Sequence, residues 1–167
     1  AKNIMVWCSI PCTGGSQWQT QNLAYYRRVG DQAGLDKITN YWRQFSRLWK
    51  NFVTFAEAAM DIGGHVAIEW PTKCKYWFDR RVQRFIRKHE LQTANLHGCM
   101  YGLKNRQGQF MLKPWTVRTT SNKFATGLAN KCDASHVHAI TRGRDAKLSE
   151  NYTIPLVDKI HLLFKQQ

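Results

Sequence analysis

The apolar positions of this chain change period along its length. Ile4-Met5-Val6-Trp7 is an unbroken apolar run, which predicts a buried strand over about residues 3–9. The run stops at Pro11-Cys12, and Gly14-Gly15 then release the backbone into a loop. From Leu35 onward Ile38, Trp42, Phe45, Trp49, Phe52 and Ala56 step by three and four. That spacing is one stripe of a helix over about residues 35–60, with Arg43, Arg47 and Lys50 on its wet side. Gly63-Gly64 end it, and His65-Val66-Ala67-Ile68-Glu69 reads as a second buried strand that closes on an acid.

The rest of the pattern is shorter. Residues 17–34 read as polar and irregular, with Tyr25, Tyr26, Arg27 and Arg28 clustered among them. Val82, Phe85 and Ile86 mark a short helix whose other face carries Arg80, Arg81, Arg84, Arg87 and Lys88. Leu96 to Cys99 fits a third strand. Gly108 turns a hairpin between Tyr101-Gly102-Leu103 and Phe110-Met111-Leu112, and residues 113–117 follow as an edge or crossing strand. Ile154-Pro155 opens a last helix with Leu156, Ile160 and Leu163 on one side. Strands alternating with helices predict one α/β domain over residues 1–167, a mainly parallel sheet with flanking helices. In it the strands at 3–9 and 65–69 are parallel neighbours, joined by the 35–60 helix. Cys12 and Glu69 then stand at the carboxyl ends of two strands, where open α/β sheets keep their ligands.

Charge adds a partner. With 25 Lys and Arg against 11 Asp and Glu, the formal net charge is +14, spread over several segments. A folded basic chain of this kind fits a polyanion, nucleic acid above all, through Arg27, Arg28, Arg80, Arg81, Arg84 and Lys113. A basic subunit of a larger assembly carries the same charge. Five cysteines without framework spacing suit a reducing, intracellular setting, nuclear, cytoplasmic or of a virus or mobile element. No apolar run is long enough for a membrane span, so no membrane partner is expected. The first residue is Ala1 rather than Met, which fits a piece cut from a longer protein.

The order of the chemical residues resembles a known family. Pro11-Cys12 with Ser16, then Glu69-Trp70-Pro71, look like the Pro-Cys and Glu-Asn-Pro/Val motifs of cytosine-C5 DNA methyltransferases. Cys99-Met100-Tyr101-Gly102 and Lys113-Pro114-Trp115-Thr116-Val117 are similar to a Cys-x-Tyr-Gly…Lys-Pro-Thr segment of the phage-type members. Arg142-Gly143-Arg144 and Ile154-Pro155-Leu156 follow in the order those members show. The resemblance implies a Rossmann-like methyltransferase fold, here partial, and S-adenosylmethionine as cofactor. It implies Cys12 as the nucleophile toward C6 of a flipped cytosine, Glu69 on N3, and Arg142 or Arg144 on the base or its phosphate. Two positions depart from the family: Trp70 stands where Asn is usual, and no Phe-x-Gly-x-Gly loop precedes Pro11-Cys12. The cofactor half, or another chain or segment completing the sheet, is then expected elsewhere. A non-catalytic nucleic-acid-binding or assembly protein on the same scaffold is the alternative, in which Cys12 is a buried cysteine beside an ordinary turn.

Cys132-x3-His136-x-His138 is a second constellation, with Cys99 or His97 available as a fourth ligand. The spacing is not that of a standard finger, and the same residues serve equally to line a polar groove, so no metal is assigned from sequence. Cys74, between Lys73 and Lys75, reads as a surface bystander.

Overall fold

The computed structural model describes residues 4–166; Ala1, Lys2, Asn3 and Gln167 lie outside them, the first residue of the expected 3–9 strand included. Its centre is a four-stranded sheet of β1 (Met5–Cys8), β2 (His65–Pro71), β3 (Gln92–His97) and β4 (Pro114–Thr119), in the order β1-β2-β4-β3. β1 and β2 pair in parallel, Cys8 opposite Ile68, as the strand–helix–strand pattern predicts. The mainly parallel, Rossmann-like sheet is not what forms. β4 inserts between β2 and β3 and runs antiparallel to both, leaving one adjacent parallel pair.

The connection explains the reversal. A parallel return needs a crossover, usually a helix, whereas β3 leads into β4 through a 3-10 turn and a Gly108 turn, φ 80°, that forms only one bridge, Lys104 to Phe110. The expected hairpin is reduced to that bridge, and the segment expected as an edge or crossing strand lies inside the sheet. β1, β2 and β3 still point the same way. Their carboxyl ends, and the amino end of β4, share one end of the sheet.

The alternation of each strand sorts side chains into two cores. Cys8, Val66, Ile68 and Trp70 pack against α2 (Gln32–Asp61) and α3 (Arg80–Lys88). The α2 stripe is buried as predicted at Ile38, Phe45, Trp49, Phe52 and Ala56, but Trp42 is exposed and its Nε1 donates to the Gly14 carbonyl at 3.0 Å. Ala67, Trp115 and Val117 face the other way, against α4 (Asn122–Leu128) and α6 (Ile154–Lys165). A short α5 (Gly143–Leu148) precedes α6, which Thr153 caps through the Leu156 amide.

The polar stretch after the Gly-Gly turn is not irregular. It forms α1 (Trp18–Val29), which buries no residue fully and therefore lacks the apolar stripe that announces a helix. Tyr26 of α1 sits over Gly34, where an added Cβ would come within 2.5 Å of the ring, so the small residue sets how closely α1 and α2 approach.

Phe124, fully buried between the sheet and α6, tests the second core. Phe124→Ala is expected to cost about 3–5 kcal/mol in urea unfolding. Phe55→Ala on the exposed side of α2, where Phe55 is 67% exposed, should cost less than about 0.5 kcal/mol.

Candidate functional site

A cleft of about 350 Å³ opens at the shared sheet end, within the range of small-ligand sites. Residues 9–13 beyond β1, residues 69–71 ending β2, Lys113 with Trp115, and residues 150–152 before α6 line it. Cys12, Glu69 and Lys113, far apart in sequence, are thus brought to one wall. Trp70, next to Glu69 in β2, positions the first segment: its Nε1 donates to the Ile10 carbonyl at 2.7 Å. Gly15 N–H to the Cys12 carbonyl, at 2.9 Å, closes the turn that follows.

Glu69 is 7% exposed, on the sheet face opposite Trp70. Its Oε2 accepts from the Tyr152 hydroxyl at 2.5 Å and from Ser9 Oγ at 3.4 Å. Trp7 Nε1 donates to Ser9 Oγ at 2.9 Å and to Tyr152 Oη at 3.1 Å, and the two hydroxyls touch each other. Oε1 is buried with no hydrogen-bond partner among the described residues. Burial pushes the Glu69 carboxyl above the usual carboxylate range, against the opposing pull of Tyr152, Lys113 and Ser9. Burial and the nearby Glu69 push the Tyr152 phenol up in turn.

Lys113 Nζ donates to Ser149 O at 2.6 Å and to Ser149 Oγ at 2.9 Å. Burial lowers its pKa, while Cys12, Glu69 and Glu150 hold it up. The Cys12 thiol is raised, first by burial and then by Glu69, with Lys113 acting the other way. At rest the cleft therefore favours a thiol, beside a cation that eases its ionisation. Cys74 is buried rather than at the surface, its thiol pushed up to about 12 by burial.

The other expected site residues are elsewhere. Ser16 Oγ accepts from the Trp18 amide at 3.4 Å just ahead of α1, and Ser16 shares with Cys12 a smaller hollow of about 180 Å³. Arg27 and Arg28 are exposed on the last turn of α1, Arg80, Arg81 and Arg84 on α3, and Arg142 and Arg144 around the start of α5; none lines the cleft. Wider hollows of about 450 and 500 Å³ lie beside α2, each lined in part by Arg81, without a thiol or a buried acid. Ser9, Tyr152 and Ser149 carry the polar contacts of the site and were not visible in the sequence, since hydroxyls without a motif look like any loop residue. Cys132, His136 and His138 gather at a separate place with Cys99.

The Gly14-Gly15 turn offers no cradle for S-adenosylmethionine. Gly14 and Gly15 are buried, and a Cβ on Gly15 would meet Cys74 Sγ at 2.7 Å and the Tyr76 ring at 2.9 Å, so protein side chains fill the space a ligand would need. Compared with protein families, curated proteins and solved structures, the chain matches none.

The buried acid gives a pH signature. A carboxyl whose native pKa is raised contributes fully below its unfolded value, about 4.3, and loses that contribution as pH rises through the native value. Glu69→Gln should therefore gain in stability relative to the parent as pH climbs from acid toward neutral, then level off. Urea melts at a series of pH values check this, and a gap that is flat or shrinks with pH refutes it.

Proposed function

We propose that this chain binds nucleic acid and seats one pyrimidine base in the cleft, with Glu69 on the base edge and Cys12 beside the ring. The observation that carries the reading is the buried Glu69, with one unpaired carboxyl oxygen, on the same cleft as Cys12 in a chain of net charge +14. In its protonated form, which burial favours, the Glu69 carboxyl offers a donor and an acceptor side by side. Cytosine presents the complement, an acceptor at N3 beside a donor at N4, whereas an ionised carboxylate would oppose the N3 lone pair. Such an edge is paired inside a duplex, so the base must be unpaired or extruded to reach the cleft.

Exposed cations supply the sequence-independent part. Arg80, Arg84 and Arg87 project from α3 with no ion pair among the described residues, while Arg81 is held bidentate by Asp79. The buried side of α3 is Val82, Phe85 and Ile86, so the basic face is free to meet phosphates.

Lys113 favours a second reading, the covalent one of the cytosine-C5 methyltransferases. In it the Cys12 thiol, beside the Lys113 cation, gives its proton to solvent and the sulfur bonds C6; the C5–C6 π electrons move into the ring, and N3 takes the proton of Glu69. The adduct is the step these residues account for; the Gly14-Gly15 turn adds no cradle for a methyl donor. DNA is the acceptor this reading names, and the unpaired thiols suit a reducing compartment. No described helix is long and apolar enough to cross a membrane.

Fluorescence anisotropy with labelled single-stranded and duplex oligonucleotides tests the binding. The log–log salt slope should be roughly −0.7 per neutralised phosphate for single strands and −0.9 for duplex. Arg80→Ala with Arg84→Ala should make it shallower by about one to two phosphates. Glu69→Gln should leave the slope unchanged and weaken selection for an unpaired cytosine. Absence of binding at low ionic strength would overturn the proposal. An oligonucleotide carrying pyrimidin-2-one separates the readings: an adduct stable to denaturant, absent in Cys12→Ser, belongs to the covalent one.

A further inference from the structure

We propose that Cys99, Cys132, His136 and His138 bind one zinc ion, and that the metal is structural. The ligand atoms of these four side chains all lie within 4.8 Å of one another. Cys132 Sγ is 3.7 Å from His136 Nε2 and 3.5 Å from His138 Nε2. A tetrahedral zinc, with bonds of about 2.3 Å to sulfur and 2.0–2.1 Å to nitrogen, separates such a pair by about 3.6 Å. Two thiolates and two neutral imidazoles also balance the ion's charge. Four protein ligands leave no open position, the mark of a structural rather than a catalytic site.

The surroundings fit the same conclusion. The Ala134 amide donates to Cys132 Sγ at 3.3 Å, which fixes the direction of the sulfur. Ala134 adopts a φ of 65°, so the Cys132–His136 turn holds a backbone conformation that alanine rarely takes. His97, the other candidate fourth ligand, is committed differently: its Nδ1 accepts the Cys132 amide at 3.0 Å, which sets the position of the cysteine. His136 packs on Phe110, with ring centroids 4.5 Å apart.

The segment from Ala129 to Arg142 shows why a metal is needed there. It contains no helix or strand beyond one bridge of Asn130 to Leu96. Its larger apolar residues do not anchor it, since Val137 is 91% and Ile140 75% exposed. Backbone bonds tie Asn130 to β3 and Ala139 to Phe110, and three of the four ligands occupy the stretch between those ties. Cys99 follows β3 directly, so the metal would fasten this segment to the sheet end that also bears the cleft. The proposal rests on ligand geometry and stands apart from the nucleic-acid reading.

Elemental analysis of the chain, purified without chelator and reconstituted with zinc under reducing conditions, is expected to give one zinc per chain. Cobalt substitution of the wild type should give the ligand-field bands of a tetrahedral site and a thiolate charge-transfer band. Cys132→Ser and His138→Ala should lose the metal and those bands, and Cys12→Ser should keep both. Chelation of the wild type should speed proteolysis within 129–142. Substoichiometric zinc with no cobalt bands, or a Cys99–Cys132 disulfide that persists in reductant and excludes metal, overturns the proposal. So does a Cys132→Ser protein that retains full zinc.

Discussion

The indole of Trp70 is the constraint on which the cleft side of the molecule depends. It is 1% exposed and packed among Phe45, Trp49, Tyr76 and Trp77, the last with centroids 4.8 Å away. Its single N–H is spent on the Ile10 carbonyl. A buried indole without a partner is costly, so the bond links the aromatic core of α2 to the loop that presents Cys12. One residue earlier in the strand, the side chain points to the opposite face. That places Glu69 among Trp7, Ser9 and Tyr152 rather than among the rings.

The charges at the sheet end depend on one another. Glu69, Cys12 and Lys113 each lose solvation; Lys113 pulls both the Glu69 carboxyl and the Cys12 thiol down, and Glu69 pushes the thiol up. A change at Lys113 therefore bears on both of the others. Ser149, itself 1% exposed, holds the Lys113 ammonium, so α5 and the turn after it contribute to the cleft although they lie outside its lining apart from residues 150–152.

Local period carried much of the fold. The α2 stripe, the α3 polarity and the parallel β1–β2 pair follow from residues that repeat at 3.6 or run apolar through a buried strand. The mixed sheet was not legible because strand direction is set by the connection, and the 98–113 segment gave turn signals without saying which neighbours β4 would choose. α1 escaped because a polar helix held by one close approach at Gly34 has no stripe. At the site, Cys12 and Glu69 stood out as strand-end residues. Tyr152 and Ser9 did not, since nothing local announces a hydroxyl whose partner lies 83 or 60 residues away. Cys99 as the companion of Cys132 was one of two options, and the amide bond that occupies His97 decides between them.

The contact of Ser9 with Tyr152 spans 143 positions. Joining such distant segments carries a loop-closure entropy that the short β3–β4 connection avoids. Contacts of long sequence separation slow folding, so the β3–β4 unit is the natural place for order to begin and the cleft the natural place for it to finish. Chains arrested before that last step would have a sheet but no cleft. Recovery of the Trp7 and Tyr152 contacts during refolding is therefore a stricter measure of the native state than recovery of helix content.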